Sequence, residues 1–172
     1  MAKDRSYVVV ANHQSHYDIL IIYGWLGVDF KWVMKHTIRD IPFIGFSCNL
    51  LGHIFIDRSN TQAAIQSIEN AKSRIVDGTS IFFFPEGTRS EDDHVQPFKK
   101  GAFRLALDLN LPILPITLNG TRHVLPKNSS TLLPGKIEMI MHPPIETSSY
   151  QTETIDTLMD HTRSMIQSGL TA

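Results

Sequence analysis

The sequence has little cysteine, no long apolar run and no excess of charge of either sign. Its single cysteine, Cys48, can form neither an internal disulfide nor a cysteine-rich zinc site, so it fits a reducing compartment and is expected to be a small buried side chain. Sixteen basic against seventeen acidic residues give a net charge of −1, which argues against a basic nucleic-acid-binding protein and an acidic disordered chain. The longest apolar stretch, residues 19–28, falls short of the roughly 18 apolar residues that a membrane-spanning helix needs.

The start of the chain has none of the features of a secretory signal. The residues MAKDRS lead directly into an apolar run at 7–11, without an extended hydrophobic segment and a small-residue cleavage site. We therefore expect a protein of the cytosol. Because the net charge is close to zero, any recognition of anions must come from local clusters of basic residues.

Strand-like and helix-like segments alternate along the 172 residues, which predicts an α/β fold. The length suits one domain, and we expect a single domain over residues 1–172 with a largely parallel, mixed β-sheet flanked by helices. Helical spacing of apolar residues is clearest in residues 65–75 and recurs over 100–109 and 153–166. The predicted strands are residues 7–11, 31–35, 53–57, 80–84, 113–117 and 137–141.

The segment NHQSHYD falls where the first predicted strand ends and a helix begins, a position where α/β sheets hold their functional residues. Within it His13 can act as a base, while Asp18 can hold the other ring nitrogen and fix the tautomer. The chain has no Gly-x-Ser-x-Gly nucleophile elbow, so the hydroxyl that such a pair activates belongs to the substrate. Two other interpretations remain open: a helix-capping pair, and a metal site formed by His13, His16 and Asp18.

Two further strand ends carry arginines. GHIFIDRS ends in Arg58 just before a predicted helix, where the guanidinium group and the helix N-terminus can bind a phosphate, although a surface Asp–Arg pair fits the same pattern. FFFPEGTRS places Glu86 and Arg89 in a turn, where Glu86 can orient Arg89 or a substrate hydroxyl. Lys99, further along in PFKKG, adds a cation that we expect to bind an anion.

The segment LPILPITLNG contains Pro112 and Pro115 around a predicted strand. Because proline lacks the N–H needed for full pairing in a sheet, the segment is expected either at a sheet edge or lining an apolar groove.

These four segments, in this order, resemble the lysophospholipid acyltransferase family, and within it the 1-acyl-sn-glycerol-3-phosphate acyltransferases. The matches are N-H-x-x-x-x-D as NHQSHYD, G-x-x-F-I-D-R as GHIFIDR, F-P-E-G-T-R-S intact and a V/I-P-I-x-P block as LPILPI, and they span about two thirds of the chain. The resemblance implies a glycerolipid-acyltransferase-like fold and transfer of a fatty acyl group from acyl-CoA or acyl-carrier protein to the free hydroxyl of 1-acyl-sn-glycerol-3-phosphate. The product is phosphatidate, made for phospholipid biosynthesis without an acyl-enzyme, a metal or a cofactor other than the acyl donor.

The resemblance also implies a role for particular residues. It makes His13 the general base and Asp18 its orienting partner. It assigns binding of the acceptor and its phosphate to residues in and near the second and third motifs: Arg58, Glu86, Gly87, Thr88, Arg89 and Lys99.

Members of the family usually carry an apolar or amphipathic N-terminal segment before the first motif, whereas His13 here follows twelve residues. Either the chain is a truncated form or natural fragment of a longer protein, or it meets the bilayer in another way. For the second case we expect peripheral contact with the cytoplasmic face of a membrane, through the Trp-containing stretch 19–32 and the stretch 42–51, with basic residues nearby. For most of the apolar residues in these stretches, a place in the core is the simpler expectation.

The expected partners are thus lysophosphatidate, an acyl thioester and a membrane surface, with acyl-carrier protein as a candidate donor and no nucleic acid. The alternatives are an acyltransferase for another lysophospholipid, a non-catalytic lipid-binding module and a metal-dependent hydrolase built on His13, His16 and Asp18.

Overall fold

The computed structural model describes residues 4–57, 60, 62, 63, 66, 67, 70, 75, 78–92 and 94–171. Every strand predicted from the sequence is present: β1 (Val8–Ala11), β2 (Phe30–Lys35), β3 (Ile54–Ile56), β4 (Ser80–Phe83), β5 (Ile113–Asn119) and β6 (Glu138–Met141). The α-helices of the described residues include α1 (Tyr17–Trp25), α2 (Ile44–Leu50), α3 (Gly101–Asp108), α4 (Thr121–Val124) and α5 (Ile155–Ser168). Short 3-10 helices cover His36–Asp40, Thr147–Ser149 and Thr152–Thr154. Strands that are mostly parallel and flanked by helices confirm the predicted α/β class.

Part of the predicted helix over residues 65–75 lies outside the described residues. Its described positions 66, 67 and 70 are helical, and Ile75 at its end is buried, as its apolar spacing predicts.

The chain divides into two compact units, residues 1–7 with 28–83 and residues 8–27 with 84–172. In the first unit, β2 is the middle of three parallel strands, pairing with β3 on one side and β4 on the other. Its core is aromatic, because the rings of Trp32 and Phe82 lie 4.4 Å apart between centroids and Phe30 packs against both.

Helix α2 of the first unit is largely uncovered. Phe43, Phe46 and Leu50 are 87%, 72% and 76% exposed, so the expectation that the apolar residues of 42–51 belong to the core is wrong. Cys48 on the same helix is only partly buried, and the expectation of a buried cysteine is wrong for the same reason.

In the second unit, β5 is the middle strand, pairing in parallel with β1 and antiparallel with β6. The expectation of an edge strand at LPILPI is therefore wrong. Pro115 fits an interior strand because β6 ends at Met141, and the Pro115 carbonyl still accepts the N–H of the next residue, His142, at 3.0 Å. Its missing N–H thus weakens only the last position of the ladder.

Amphipathic helices cover this second unit as the sequence predicts. Helix α5 buries Ile155, Leu158, Thr162 and Ile166, spaced three and four residues apart, and packs against β5. Helix α3 buries Ala102, Phe103, Leu105 and Ala106. None of the helices in the described part of the chain combines the length and the apolar character needed to cross a membrane.

Candidate active site

The segment between β1 and α1 is held to the neighbouring strand by Asn12, the residue that follows β1. Its side-chain amide donates to the Leu118 carbonyl at 2.9 Å, and its Oδ1 accepts the Leu118 N–H at 2.7 Å. A buried amide with both groups satisfied by one backbone position fixes the direction in which the chain leaves the strand. The next residue, His13, therefore starts from a defined place at the carboxyl end of β1.

His13 and Asp18 are in direct contact, as the sequence predicts. Asp18 is fully buried in the first turn of α1, and its Oδ2 lies 2.7 Å from His13 Nδ1. The same oxygen accepts the backbone N–H groups of Gln14 at 2.8 Å and Ser15 at 2.9 Å. A carboxylate oxygen that accepts three N–H groups holds His13 with its proton on Nδ1, which leaves Nε2 as a proton acceptor.

The imidazole ring of His13 is also fixed from one face. It stacks on Phe84 with the ring centroids 3.9 Å apart and the planes 13° from parallel. The His13 side chain is 15% exposed, and its Nε2 makes no hydrogen bond to any residue that the structure describes. The ring is therefore oriented on two sides and still reachable by a small group such as a hydroxyl.

Glu86 holds the backbone around His13. Its side chain is 4% exposed, its Oε1 accepts the His13 N–H at 2.7 Å and its Oε2 accepts the Gln96 N–H at 2.9 Å. The turn after β4 is tied to the same place, because the Ser90 N–H donates to the His13 carbonyl at 2.7 Å. Both oxygens of Glu86 thus accept backbone N–H groups, and neither binds Arg89. This geometry favours a role for Glu86 in positioning His13 over the predicted contact with the acceptor.

Burial raises the pKa of Glu86 to about 7. The hydrogen bonds from Gln96 and His13 and the positive charge of Arg163 act in the opposite direction, whereas the charge of Asp18 adds to the rise. A carboxyl group with such a pKa, next to a histidine, is typical of a functional site.

The FPEGTRS turn brings cations to the rim of this site. Gly87 has φ of +77°, and a Cβ placed there would lie 2.9 Å from Lys99 Nζ, so the lysine side chain runs directly over the glycine. Arg89 is half-buried and Thr88 is exposed in the same turn. The structure therefore places Lys99 beside the turn, whereas Lys100 forms an exposed ion pair with Asp156 at 2.8 Å.

His16 faces solvent, as expected, and lies close enough to Arg89 for the arginine charge to affect it. Although the residue is exposed overall, partial burial lowers the pKa of its imidazole, and the positive charge of Arg89 lowers it further. Arg89 is thus near the His13 loop as well. Arg58, the remaining predicted phosphate ligand, lies outside the described residues.

Among the described residues, no three His, Cys, Asp or Glu side chains are grouped so as to hold a metal ion. His13 Nδ1 is committed to Asp18, and His16 is exposed and makes no hydrogen bond to either residue.

Several residues of this site are absent from the sequence-based set. Asn12, Ser15, Phe84 and Gln96 act through contacts with the backbone or through ring stacking. Asn12 and Ser15 lie inside the NHQSHYD motif, which is the one signal that singles them out. Phe84 begins the FPEGTRS motif, but the motif does not show that its ring stacks on His13. Gln96 carries no sequence signal, because it acts through its backbone N–H.

A site with a His–Asp pair after the first strand and a cationic FPEGTRS turn agrees with the result of comparison with known families. Residues 1–119 match the family described as Acyltransferase, and the chain belongs to that family.

Relatives within the family bear out the resemblance seen in the motifs. The chain is 36% identical over 170 residues to the chloroplastic 1-acyl-sn-glycerol-3-phosphate acyltransferase BAT2 of Brassica napus, which covers 98% of the chain and 48% of that protein. It is 33% identical over 158 residues to the sheep (Ovis aries) 1-acyl-sn-glycerol-3-phosphate acyltransferase alpha, covering 91% of the chain and 55% of that protein. The chain spans about half the length of the curated relatives it matches.

A solved structure shares the fold. The crystal structure of the 1-acyl-sn-glycerophosphate acyltransferase PlsC from Thermotoga maritima matches with a TM-score of 0.82 and 33% identity, over 98% of this chain and 66% of that one. The predicted glycerolipid-acyltransferase-like fold is thereby confirmed.

Proposed function

We propose that this protein transfers a fatty acyl group from an acyl thioester to the free hydroxyl of 1-acyl-sn-glycerol-3-phosphate, giving phosphatidate. The observation that carries the proposal is the 2.7 Å contact between His13 Nδ1 and Asp18 Oδ2 in a chain that belongs to the acyltransferase family. The names of the relatives from Brassica napus and sheep support lysophosphatidate as the acceptor.

The proposed mechanism uses His13 as a general base. Nε2 takes the proton of the acceptor hydroxyl while the oxygen attacks the thioester carbonyl, so that an O–C bond forms and a tetrahedral intermediate arises. Its collapse breaks the C–S bond, and the departing thiolate takes the proton from His13. Positioned proton transfer of this kind contributes about 10²- to 10⁴-fold in rate. No acyl-enzyme is needed, because the nucleophile comes with the substrate.

The acceptor phosphate binds, in this proposal, to the cations at the rim of the site. Arg89 offers a planar fork of donors, and Lys99 adds a point charge next to Gly87. Arg58 belongs to the same set on sequence grounds. The donor is acyl-CoA or acyl-carrier protein, since both present the same thioester, and the reaction needs no other cofactor.

The proposed substrate is a lipid, and exposed apolar side chains offer contact with a membrane. Each unit carries such a patch: Phe43, Phe46 and Leu50 at α2, with Lys35 and Arg39 exposed beside them, and Tyr23 and Trp25 on α1, 49% and 67% exposed. Apolar side chains with flanking cations suit an anionic bilayer surface. We propose that the protein works peripherally, at the cytoplasmic face of a membrane.

The membrane proposal is tested by sedimentation with phosphatidylcholine vesicles, with and without phosphatidylglycerol. Replacing Phe43, Phe46 and Leu50 by serine is expected to reduce sedimentation strongly, because one of the two proposed patches is lost. Leu132→Ser, at a position 61% exposed in another loop, is the matched control and is expected to leave sedimentation unchanged. Equal sedimentation of the triple variant and the wild type would contradict this surface.

The activity is tested by mass-spectrometric detection of phosphatidate made from acyl-CoA and lysophosphatidate, with lysophosphatidylcholine as a competing acceptor. We expect phosphatidate from the wild type and at least about 100-fold less from His13→Gln, because the base is lost. His16→Gln is the matched control, since His16 lies in the same loop, is exposed and makes no bond to Asp18. An equal loss in both variants contradicts the assignment of His13, and preference for lysophosphatidylcholine contradicts the acceptor.

A further inference from the structure

Two side chains of helix α5 form hydrogen bonds with the backbone of Val95. Arg163 donates two hydrogen bonds to the Val95 carbonyl, from Nε at 2.9 Å and from Nη2 at 2.7 Å. One turn further along the same face of the helix, the Gln167 Oε1 accepts the Val95 N–H at 2.9 Å. Val95 itself is 1% exposed, so these contacts are sheltered from water.

The other end of the Val95–Gln96 peptide group reaches the candidate active site. The Val95 carbonyl and the Gln96 N–H belong to one planar unit, so a side chain that fixes the carbonyl also fixes the direction of the N–H. That N–H donates to Glu86 Oε2, and Glu86 Oε1 accepts the His13 N–H. A continuous series of hydrogen bonds therefore runs from Arg163 to the backbone of His13.

The positive charge of Arg163 also acts on Glu86 through this series of hydrogen bonds. A cation bound to the Val95 carbonyl polarises the peptide and strengthens its N–H as a donor toward Glu86. Among the residues that the structure describes, the groups that face the buried Glu86 carboxyl are the His13 and Gln96 N–H groups, the Asp18 carboxylate and the Arg163 guanidinium. Arg163 is the only cation among them, and it opposes the effect of burial and of Asp18 on the pKa of Glu86.

We propose that Arg163, assisted by Gln167, is a positioning residue for the His13–Asp18 pair, acting through the Val95–Gln96 peptide and Glu86. The inference rests on the proposed function for its kinetic consequence, and on the hydrogen bonds alone for its structural consequence. It gives α5, which contributes no residue to the sequence motifs, a part in holding the base.

The test compares the wild type with Arg163→Met, Arg163→Lys and a control, Arg104→Met. Arg104 is an exposed arginine on α3 whose side chain makes no hydrogen bond to a described residue, so its replacement matches the loss of a cation without touching Val95. The Glu86 carboxyl is titrated by ¹³C NMR, exchange of the Gln96 amide proton is followed by NMR, and kcat and KM are measured with acyl-CoA and lysophosphatidate.

In Arg163→Met we expect the midpoint of the Glu86 titration to move up and the Gln96 amide to exchange about tenfold faster. We expect kcat to fall about tenfold with KM little changed, as suits loss of one charge-assisted contact behind the base. Arg163→Lys keeps the charge and a donor, so its three measured values should lie between those of the wild type and Arg163→Met. Arg104→Met should match the wild type. A fall in kcat without a change at Glu86 or Gln96 would overturn the inference, as would no change in any of the three.

Failure of the proposed function gives a different result. If the wild type makes no phosphatidate, that function is contradicted, and the titration and exchange measurements still decide whether Arg163 positions Glu86. If Arg163→Met is unfolded by circular dichroism, the comparison is made on Arg163→Lys, whose Glu86 midpoint and Gln96 exchange must still differ from those of the wild type.

Discussion

The buried Glu86 is expected to make the free energy of unfolding fall as the pH rises from about 4.5 to about 7. Burial raises the pKa of this carboxyl from 4.5 to about 7 in the folded protein. Between those values the folded state keeps a proton that the unfolded state has released. Since the folded state then binds more protons than the unfolded state, stability is greatest below the lower value and is lost as the pH rises through the upper one.

The size of the effect follows from the displacement of the pKa. Each pKa unit corresponds to about 1.4 kcal/mol, so the whole change from 4.5 to about 7 is worth about 3 kcal/mol. Glu86→Gln is neutral at every pH and removes this contribution. Its stability relative to the wild type should therefore improve by about 3 kcal/mol between pH 4.5 and pH 8, even though the glutamine can accept only one of the two N–H groups.

The assay is urea unfolding at a series of pH values, with the difference between variant and wild type taken at each pH. Glu153→Gln, which changes an exposed glutamate, serves as the control and should follow the wild type throughout. If the difference between Glu86→Gln and the wild type stays constant from pH 4.5 to pH 8, then Glu86 is not a buried carboxyl with a raised pKa, and the reasoning is refuted.

Three further changes test separate parts of the site. Asp18→Asn should lower kcat about 10²- to 10⁴-fold at unchanged secondary structure, because the tautomer of His13 is no longer fixed; a smaller loss in steady-state assays than that of an exposed control such as Asp160→Asn would contradict the pairing. Gly87→Ala should lower Tm, because a positive φ costs a residue with a Cβ about 1–2 kcal/mol and the end of the Lys99 side chain must also move away from the new methyl group; an unchanged Tm would contradict this geometry. Arg89→Ala should raise KM for the acceptor more than KM for the donor, and equal changes would remove its phosphate-binding role.

Much of the fold follows from local sequence patterns. The continuous apolar runs at β1 and β4 predict strands buried on both faces, and both are fully buried. The spacing along α5 predicts its buried face correctly. These signals succeed because periodicity within a few residues determines which side chains can share a face.

The sequence could not predict features that depend on distant partners. Hydrophobicity alone places Phe43 in a core, yet no described residue covers it, and its backbone has φ of +62°. Pro115 indicates an edge strand until the end of β6 is known. Whether an apolar residue is covered is a property of the packed chain rather than of its own segment.

In the candidate site, too, some contacts follow from a local motif and others depend on residues distant along the chain. The pairing of His13 with Asp18 spans five residues and could be inferred from one motif. The contacts of Glu86 with His13 and of Asn12 with Leu118 join positions 73 and 106 residues apart, and no local pattern indicates them. The motif therefore predicts His13 as the base, and only the structure shows which contacts hold His13 in place.

Direct, acceptor-dependent acyl transfer with His13 as the base is the central claim. It is tested by following thiol release from palmitoyl-CoA with a chromogenic disulfide reagent, with and without lysophosphatidate in mixed micelles, for the wild type and His13→Ala. The account predicts release that requires the acceptor and disappears in His13→Ala while the circular dichroism spectrum is unchanged. Release without the acceptor, or substantial release by the folded His13→Ala variant, would contradict it.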